Sequence, residues 1–215
     1  MEFVVASFSV KEIFLTLQGE GLQAGKPAVF CRFSGCNLWS GREADRASAI
    51  CRFCDTDFVG IDGTRGGRYN EADELADAIE ADWIGGEGDR LCVLTGGEPL
   101  LQVDDALISA LHDRKFRIAI ETNGTLPAPQ GIDWVCVSPK GGTSLEIRRG
   151  NELKLVYPQT DAPPERFVDL AFDNFLLQPM DGPDLVLNTR QAISYCLAHP
   201  KWRLSVQTHK HLGIR

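Results

Sequence analysis

Short apolar runs alternating with amphipathic stretches constrain the fold of this chain more than any other feature. Runs at residues 10–17, 29–33, 91–95, 116–121, 134–138, 152–156, 175–177 and 203–206 have the length and apolar content of strands. After the second run, Ala72, Leu75, Ala76, Ile79 and Trp83 recur at helical spacing, with Asn70 as the expected cap and Gly85-Gly86 as the stop. A second helix is expected over about residues 103–114, with Val103, Ala106, Leu107, Ala110 and Leu111 on one face. A last helix over roughly 189–198 has Asn188 as its cap and Pro200 beyond its end, and a short helix is expected near 164–171. Strands alternating with helices predict an α/β fold with parallel pairing through right-handed crossovers. About six strands suit a parallel sheet, but only about three helices are well marked, too few for a full eight-fold barrel. A partial barrel or a doubly wound sheet remains. No repeat or linker divides the 215 residues, so one domain spanning 1–215 is expected.

In a parallel sheet, the residues just past the strand C-terminal ends share one rim, where α/β folds place their ligands. That rim would collect Ser34 to Cys36, the Gly96-Gly97-Glu98-Pro99 turn, Glu121 and Asn123, Ser138 and Lys140, and Gln178 through Asp181. Any one such loop is an ordinary αβ turn; their recurrence at one end of the sheet argues for a site. Near the start, Gln18-Gly19-Glu20-Gly21 implies a tight turn with close backbone approach.

The net charge of −8 and sequence pI of about 5.0, without a Lys/Arg block, argue against a nucleic-acid backbone binder. The first residues, Met1 to Ser7, lack the basic and apolar regions of a signal peptide, and no run approaches the roughly 20 apolar residues of a membrane span. A cytoplasmic setting is expected, consistent with an odd number of cysteines, seven, in no dense pairing pattern.

Three of those cysteines gather in the irregular stretch 36–67: Cys36 alone, then Cys51 and Cys54 after fourteen intervening residues. Two cysteines separated by two residues can point both sulfurs at one metal centre, and a third from across a loop completes a face. With Cys31 added, the four would make a closed zinc site; without it, three thiolates would hold an iron–sulfur cluster and leave one iron open. Cys31 lies inside an apolar strand, which favours a core position, as do the settings of Cys92, Cys136 and Cys196. Within the fourteen residues, Ala44-Asp45-Arg46-Ala47 suits one helical turn.

The combination of Phe33-Ser34-Gly35-Cys36-Asn37-Leu38, Cys51-Arg52-Phe53-Cys54 and Gly96-Gly97-Glu98-Pro99 resembles the radical S-adenosylmethionine superfamily. The usual gap between the first two cysteines there is much shorter. That departure, with Leu17-Gln18-Gly19-Glu20-Gly21 and Cys54-Asp55-Thr56-Asp57, makes the chain resemble the 7-carboxy-7-deazaguanine synthase family from about residue 10 onward. The resemblance implies an incomplete TIM-like barrel and a carbon–nitrogen lyase of queuosine-type 7-deazapurine biosynthesis. It would convert 6-carboxy-5,6,7,8-tetrahydropterin to 7-carboxy-7-deazaguanine with loss of ammonia, through a 5′-deoxyadenosyl radical. It further implies a 4Fe-4S cluster, S-adenosylmethionine and Mg²⁺ as cofactors, flavodoxin or ferredoxin as electron donor, and a homodimer.

By family position, Cys36, Cys51 and Cys54 would hold the cluster and Thr56 the Mg²⁺, although Thr56 between two aspartates also suits a turn. Gly96, Gly97 and Glu98 would receive the methionine end of the cofactor, and Phe53 the adenine. Ser138, Lys140, Gln178, Pro179, Met180 and Asp181 match later cofactor loops, with Glu121 and Asn123 as further candidates. Leu17, Gln18, Gly19 and Glu20 would face the guanidine-like edge of the pterin, and Arg32 its carboxylate, with Thr95, His209 and Arg215 nearby. Arg32 in an ordinary ion pair, Glu20 on a solvated turn and His209 on the surface are the plainer alternatives. No side-chain nucleophile or base is required for the first step. Two other functions compete: an activating enzyme for a glycyl-radical partner, against which the short chain and the 17–21 motif count, and a zinc-stapled binding module using Cys31, Cys36, Cys51 and Cys54.

Overall fold

The computed structural model describes residues 7–86 and 88–215. Met1 to Ala6, most of the stretch expected to lack a leader, lie outside the described residues. The strands are β1 (Phe8–Leu17), β2 (Pro27–Phe33), β3 (Gly67–Tyr69), β4 (Leu91–Gly96), β5 (Arg117–Thr122), β6 (Trp134–Val137), β7 (Arg149–Tyr157), β8 (Ala171–Pro179) and β9 (Trp202–Leu204). The helices are α1 (Ala72–Glu80), α2 (Asp105–Asp113), α3 (Leu185–Ala198) and α4 (Thr208–Leu212).

All nine strands form one sheet in the order β3-β1-β2-β4-β5-β6-β7-β8-β9. β2 pairs parallel with β4, and from β4 onward each strand joins the next in sequence by a parallel pairing. Strand order does not reverse within this parallel set, so the sheet is singly wound like a barrel wall rather than doubly wound. It also curls: Leu22 N, just past β1, donates to Glu152 on β7 at 2.8 Å, and Gly21 N donates to Ser205 beyond β9 at 3.0 Å. The fold is therefore an incomplete TIM-like barrel with few helices. No α-helix covers the β5–β6 or β6–β7 crossover.

Some expectations need correction. Residues 10–17 do not join the parallel set, because a short connection carries β1 antiparallel onto β2, while β3, unmarked in the sequence, pairs antiparallel with β1. Asn70 does not cap α1; the helix starts one residue later, and Glu74 reaches back to accept from Asn70 N at 3.0 Å. Trp83 lies beyond the helix end, though still packed on the core. Asn188 does not cap α3 either. The helix begins at Leu185, and the buried Asn188 amide instead donates to Met180 O at 2.9 Å. Near 164–171 only a 3-10 turn forms, Pro164–Arg166. In α2, by contrast, Asp104 caps by accepting from Leu107 N at 2.9 Å.

Side chains alternate across the strands and divide the interior. On the outer face Val29, Cys31, Phe33, Cys92, Leu94, Ile118 and Ile120 pack under Leu75, Ile79, Leu107 and Leu111 of α1 and α2. Further along, Leu153, Leu155, Phe175 and Leu177 pack with Ala192 of α3. The inner face has a small apolar plug, Phe14, Phe30, Val93 and Ala119. Above it the inner face turns polar and opens into a cavity. Among the described residues, no helix is long and apolar enough to cross a membrane.

Candidate active site

The cavity has a volume of about 350 Å³, within the range of small-molecule sites, and is walled by the C-terminal ends of the strands and their loops. Cys36, Cys51 and Cys54 all line it. Cys31, five residues before Cys36, points to the opposite face of the sheet and is fully buried among apolar side chains. Cys92 does the same, and Cys196 packs against the outer core. Cys136 is buried as expected, but on the inner face, where it borders the cavity.

A small cluster of its own holds the cysteine loop. Trp39 stacks edge-on against Phe58, with centroids 5.6 Å apart, and the Arg46 guanidinium lies 4.1 Å over the Trp39 ring. Arg46 belongs to a 3-10 turn, Glu43–Ser48, where one helical turn was expected. Its Nη1 donates to Arg52 O at 3.0 Å and Cys54 O at 3.1 Å, so the inserted residues brace the backbone that presents the paired cysteines. Leu38 N donates to Cys36 Sγ at 3.4 Å. Burial pushes the Cys36 thiol up; the hydrogen bond from Cys51 draws Cys54 down to about 6 and holds the Cys51 proton correspondingly tightly.

The glycine-rich turn after β4 sits directly against this loop. Gly97 N donates to Phe33 O at 3.2 Å and Glu98 N to Gly35 O at 2.9 Å. A Cβ on Gly97 would stand 2.0 Å from Gly35 O and 2.9 Å from the Cys36 Cβ, and Gly96 has a φ of +137°. Glycine is thus required for the two loops to touch. Glu98 is fully buried and does not line the cavity: its carboxylate accepts from Leu100 N at 3.0 Å, Thr122 Oγ1 at 2.7 Å and Asn123 N at 2.8 Å. Burial raises its pKa against those hydrogen bonds. The Glu98 side chain ties the turn to the end of β5 rather than facing a ligand, and Asn123 carries the tie on by donating to Asn37 Oδ1 at 2.9 Å.

The floor is a chain of charges. Lys154 Nζ lies 2.5 Å from Glu20 Oε2 and 3.4 Å from Glu121 Oε1. Gln18 Nε2 donates to Glu121 Oε1 at 3.0 Å, and Gln207 Nε2 to Glu20 Oε1 at 2.8 Å. Burial alone would raise the Glu20 carboxyl, but Lys154 beside it, with hydrogen bonds from Gln207 and Gln178, holds it at about 2. Arg32 pairs with Glu12 at 3.0 Å, and Arg215 bonds the same carboxylate from the tail.

The C-terminal segment straps this floor to the rim. Thr208 N and Oγ1 both donate to Gly19 O at 2.9 Å, and a Cβ on Gly19 would fall 2.2 Å from His209 Nδ1. The close approach expected of the 18–21 turn is therefore made to the tail and, at Gly21 with φ +66°, to Glu152. Gln207 also donates to Asp55 Oδ2 at 3.2 Å, while Lys210 lies 2.5 Å from both Asp55 and Asp181. Thr56 and Asp57 line the cavity beside them, and Asp57 also pairs with Lys11 at 3.2 Å.

Of the residues given a role by family position, all but Glu98 and Met180 line this one cavity; Met180 accepts from Asn188 behind it. Sequence reasoning passed over Glu12, Cys136, Lys154, Gln207 and Lys210. Lys154 had a signal, since Glu152 and Lys154 alternate with Leu153 and Leu155 inside an otherwise apolar strand. Gln207 and Lys210 had none, because only the folded tail brings them to the site.

The donor set discriminates between the metal readings. A closed zinc site needs four sulfurs about 2.3 Å from one ion, and Cys31 lies on the wrong side of the sheet, so the four-cysteine zinc module is excluded. Among the described residues no three His, Cys, Asp or Glu side chains converge on a single ion. A cuboidal cluster takes each thiolate on a different iron, and three spaced cysteines on one wall, against a glycine cradle, fit it.

A family model described as the Radical SAM superfamily matches residues 45–156, beginning after Cys36, which the long gap leaves outside. A 7-carboxy-7-deazaguanine synthase from Bradyrhizobium diazoefficiens is 70% identical over 97% of this chain and 100% of the relative. One from Caulobacter vibrioides is 67% identical over 97% and 99%. The crystal structure of QueE from Escherichia coli superposes with a TM-score of 0.70 at 27% identity, covering 94% of this chain and 95% of that one.

Proposed function

We propose how this site works from one premise: the chain belongs to the 7-carboxy-7-deazaguanine synthase family of the radical S-adenosylmethionine superfamily. It is a lyase that converts 6-carboxy-5,6,7,8-tetrahydropterin to 7-carboxy-7-deazaguanine with loss of ammonia, and its cofactors are a 4Fe-4S cluster, S-adenosylmethionine and Mg²⁺. When bound, the cluster and S-adenosylmethionine supply the one-electron chemistry that begins with hydrogen removal from the substrate carbon bearing the carboxylate. The tasks of the protein are binding, orientation and exclusion of water.

Cys36, Cys51 and Cys54 hold the cluster, with Leu38 N softening the charge on the first sulfur. Gly96 and Gly97 form the cradle beside it, and Phe53, Asn123, Ser138, Lys140, Gln178, Pro179 and Asp181 surround the rest of the cofactor. Lys140 Nζ lies 6.0 Å from the Phe53 ring and 2.7 Å from Ser138 Oγ, so these groups stand together on one wall. Glu98 acts from behind, by fixing the turn. Glu20, Glu121, Gln18 and the Leu17 and Gly19 backbone read the guanidine-like ring edge, beside Thr95 and His209. Arg32 exchanges its Glu12 partner for the substrate carboxylate, and Arg215 takes up Glu12. Thr56 would offer its hydroxyl to Mg²⁺, a cation that favours oxygen ligands. The tail covers the floor against solvent.

The observation that carries this assignment is that three cysteines and a glycine cradle share one cavity with an acceptor-lined floor. Anaerobically purified, reduced protein incubated with S-adenosylmethionine, the carboxy-tetrahydropterin and Mg²⁺ is expected to yield the deazapurine. Protein carrying about four irons per chain that consumes no pterin would contradict it. Full-length relatives named as synthases disfavour the glycyl-radical activating role. A cytoplasmic homodimer reduced by flavodoxin or ferredoxin completes the proposal, on the support of family membership and the unpaired cysteines.

A further inference from the structure

Lys154 is a cation in the middle of a strand with its side chain only 4% exposed, and nothing in the proposed binding scheme requires it to touch a ligand. Burying an ammonium is expensive unless it is paired. Its partners are both carboxylates that face the ring edge, Glu20 from the turn after β1 and Glu121 from β5. Cys136 on β6 and Gln178 on β8 line the same cavity, and Glu152, two residues back on β7, is itself bonded to Leu22 N. Among the described residues the other groups on the two carboxylate head groups are neutral, Gln207 and Gln178 on Glu20 and Gln18 on Glu121. Lys154 is therefore the one cation bonded to either carboxylate among the described residues.

We propose that Lys154 is a positioning residue that keeps Glu20 ionised and holds Glu20 and Glu121 correctly aimed, so that the floor presents acceptors to the N–H groups of the pterin edge throughout the neutral pH range. This rests on the proposed assignment of the floor to the pterin. Two carboxylates sharing a poorly solvated site without a cation cannot both stay ionised, and one then takes up a proton. A protonated carboxyl directs an O–H at the ring edge, where the ring also donates, and a hydrogen bond becomes a clash of donors. Lys154 removes that alternative. The direction of the titration shifts agrees: burial would lower the Lys154 ammonium, yet Glu121 and Glu20 hold it well above its ordinary value.

The test uses anaerobic holoenzyme and reads pterin binding by calorimetry as well as turnover, from pH 6 to 9. The wild type is expected to show a KM and Kd nearly independent of pH. In Lys154→Met, both are expected to rise at least about tenfold at pH 7 and to recover toward pH 9, with kcat changed much less, because a carboxyl deprived of its cation can rise by several pH units. Lys154→Arg, which keeps the charge, should restore the flat profile. A Lys154→Met enzyme with wild-type Kd at every pH overturns the inference, as does one that loses kcat with Kd unchanged. Should Lys154→Met not fold, Glu20→Gln decides: weaker, pH-independent binding supports the inference, and wild-type binding removes Glu20 as a reader and the inference with it. If wild-type holoenzyme itself neither binds nor converts the pterin, the functional assignment fails, and the role of Lys154 falls as a consequence.

Discussion

Two faces of β7 are buried to the same depth and do opposite things. Leu153 and Leu155 are fully buried on the outer face among Phe175, Leu177 and Val137. Glu152 and Lys154 are each 3% exposed on the inner face, among Glu20, Glu121 and Cys136. Burial alone does not tell core from site; the partners do. The same division runs through β2, where Cys31 faces the helices while Arg32 faces the cavity. A strand that alternates in this way lets one segment carry stability on one side and chemistry on the other. The comparison predicts that outer-face changes weaken the fold and leave ligand affinity alone, whereas inner-face and rim changes do the reverse.

The largest effect on the outer face is expected for Leu153→Ala. It should cost about 2–5 kcal/mol of unfolding free energy in denaturant titration, the usual range for a buried leucine. Pterin affinity of the protein that remains folded should not change; a large rise in Kd would break the division. At the rim, Arg46→Ala removes the ring contact and two carbonyl hydrogen bonds, together worth about 1–3 kcal/mol of local order. Faster loss of iron to a chelator, with the global melting temperature nearly unmoved, is the expected signature. Equal iron retention would mean the insertion does not brace the cysteines.

Acid sharpens the inner side of the comparison. Glu20 is held at about 2 against an ordinary 4.5. A carboxyl held below its unfolded value stabilises the folded chain above that value, and the contribution is lost as pH falls from about 4.5 toward 2. Glu20→Gln should therefore flatten the decline of stability across that window, as followed by circular dichroism. The smallest effect is expected for Lys210→Ala. Its pairs with Asp55 and Asp181 are partly exposed, so stability should fall by only about 0.2–1 kcal/mol and less at high salt. Its main consequence should be a modest rise in KM as the tail loosens.

The sequence made the periodic parts of the fold legible and left the reversals hidden. Parallel strands and α2 follow from apolar period, while the Asp104 cap of α2 shows only in the fold. The antiparallel turn of β1 onto β2 has no such mark, since its runs look like those of any strand, and β3 is three residues of Gly-Arg-Tyr. Asn188 illustrates a misleading signal: a good capping residue that tertiary packing uses inside the helix to hold Met180. For the site, the cysteines and the glycine turn were readable because their chemistry demands local spacing. Lys154, Gln207 and Lys210 meet their partners across sequence separations from 29 residues for Lys210–Asp181 to 187 for Gln207–Glu20. Glu98 was legible as part of a motif, but its burial and its bonds to Thr122 and Asn123 belong to the fold.

The sheet divides the cysteines, with Cys31 in the core and Cys36 lining the cavity five positions along. Iron content and pterin turnover of Cys31→Ala and Cys36→Ala, purified anaerobically side by side, test it most directly. The account predicts about four irons per chain and near-wild-type turnover in Cys31→Ala, with cluster and turnover lost in Cys36→Ala. Loss of the cluster in Cys31→Ala, or an intact and active cluster in Cys36→Ala, would contradict it.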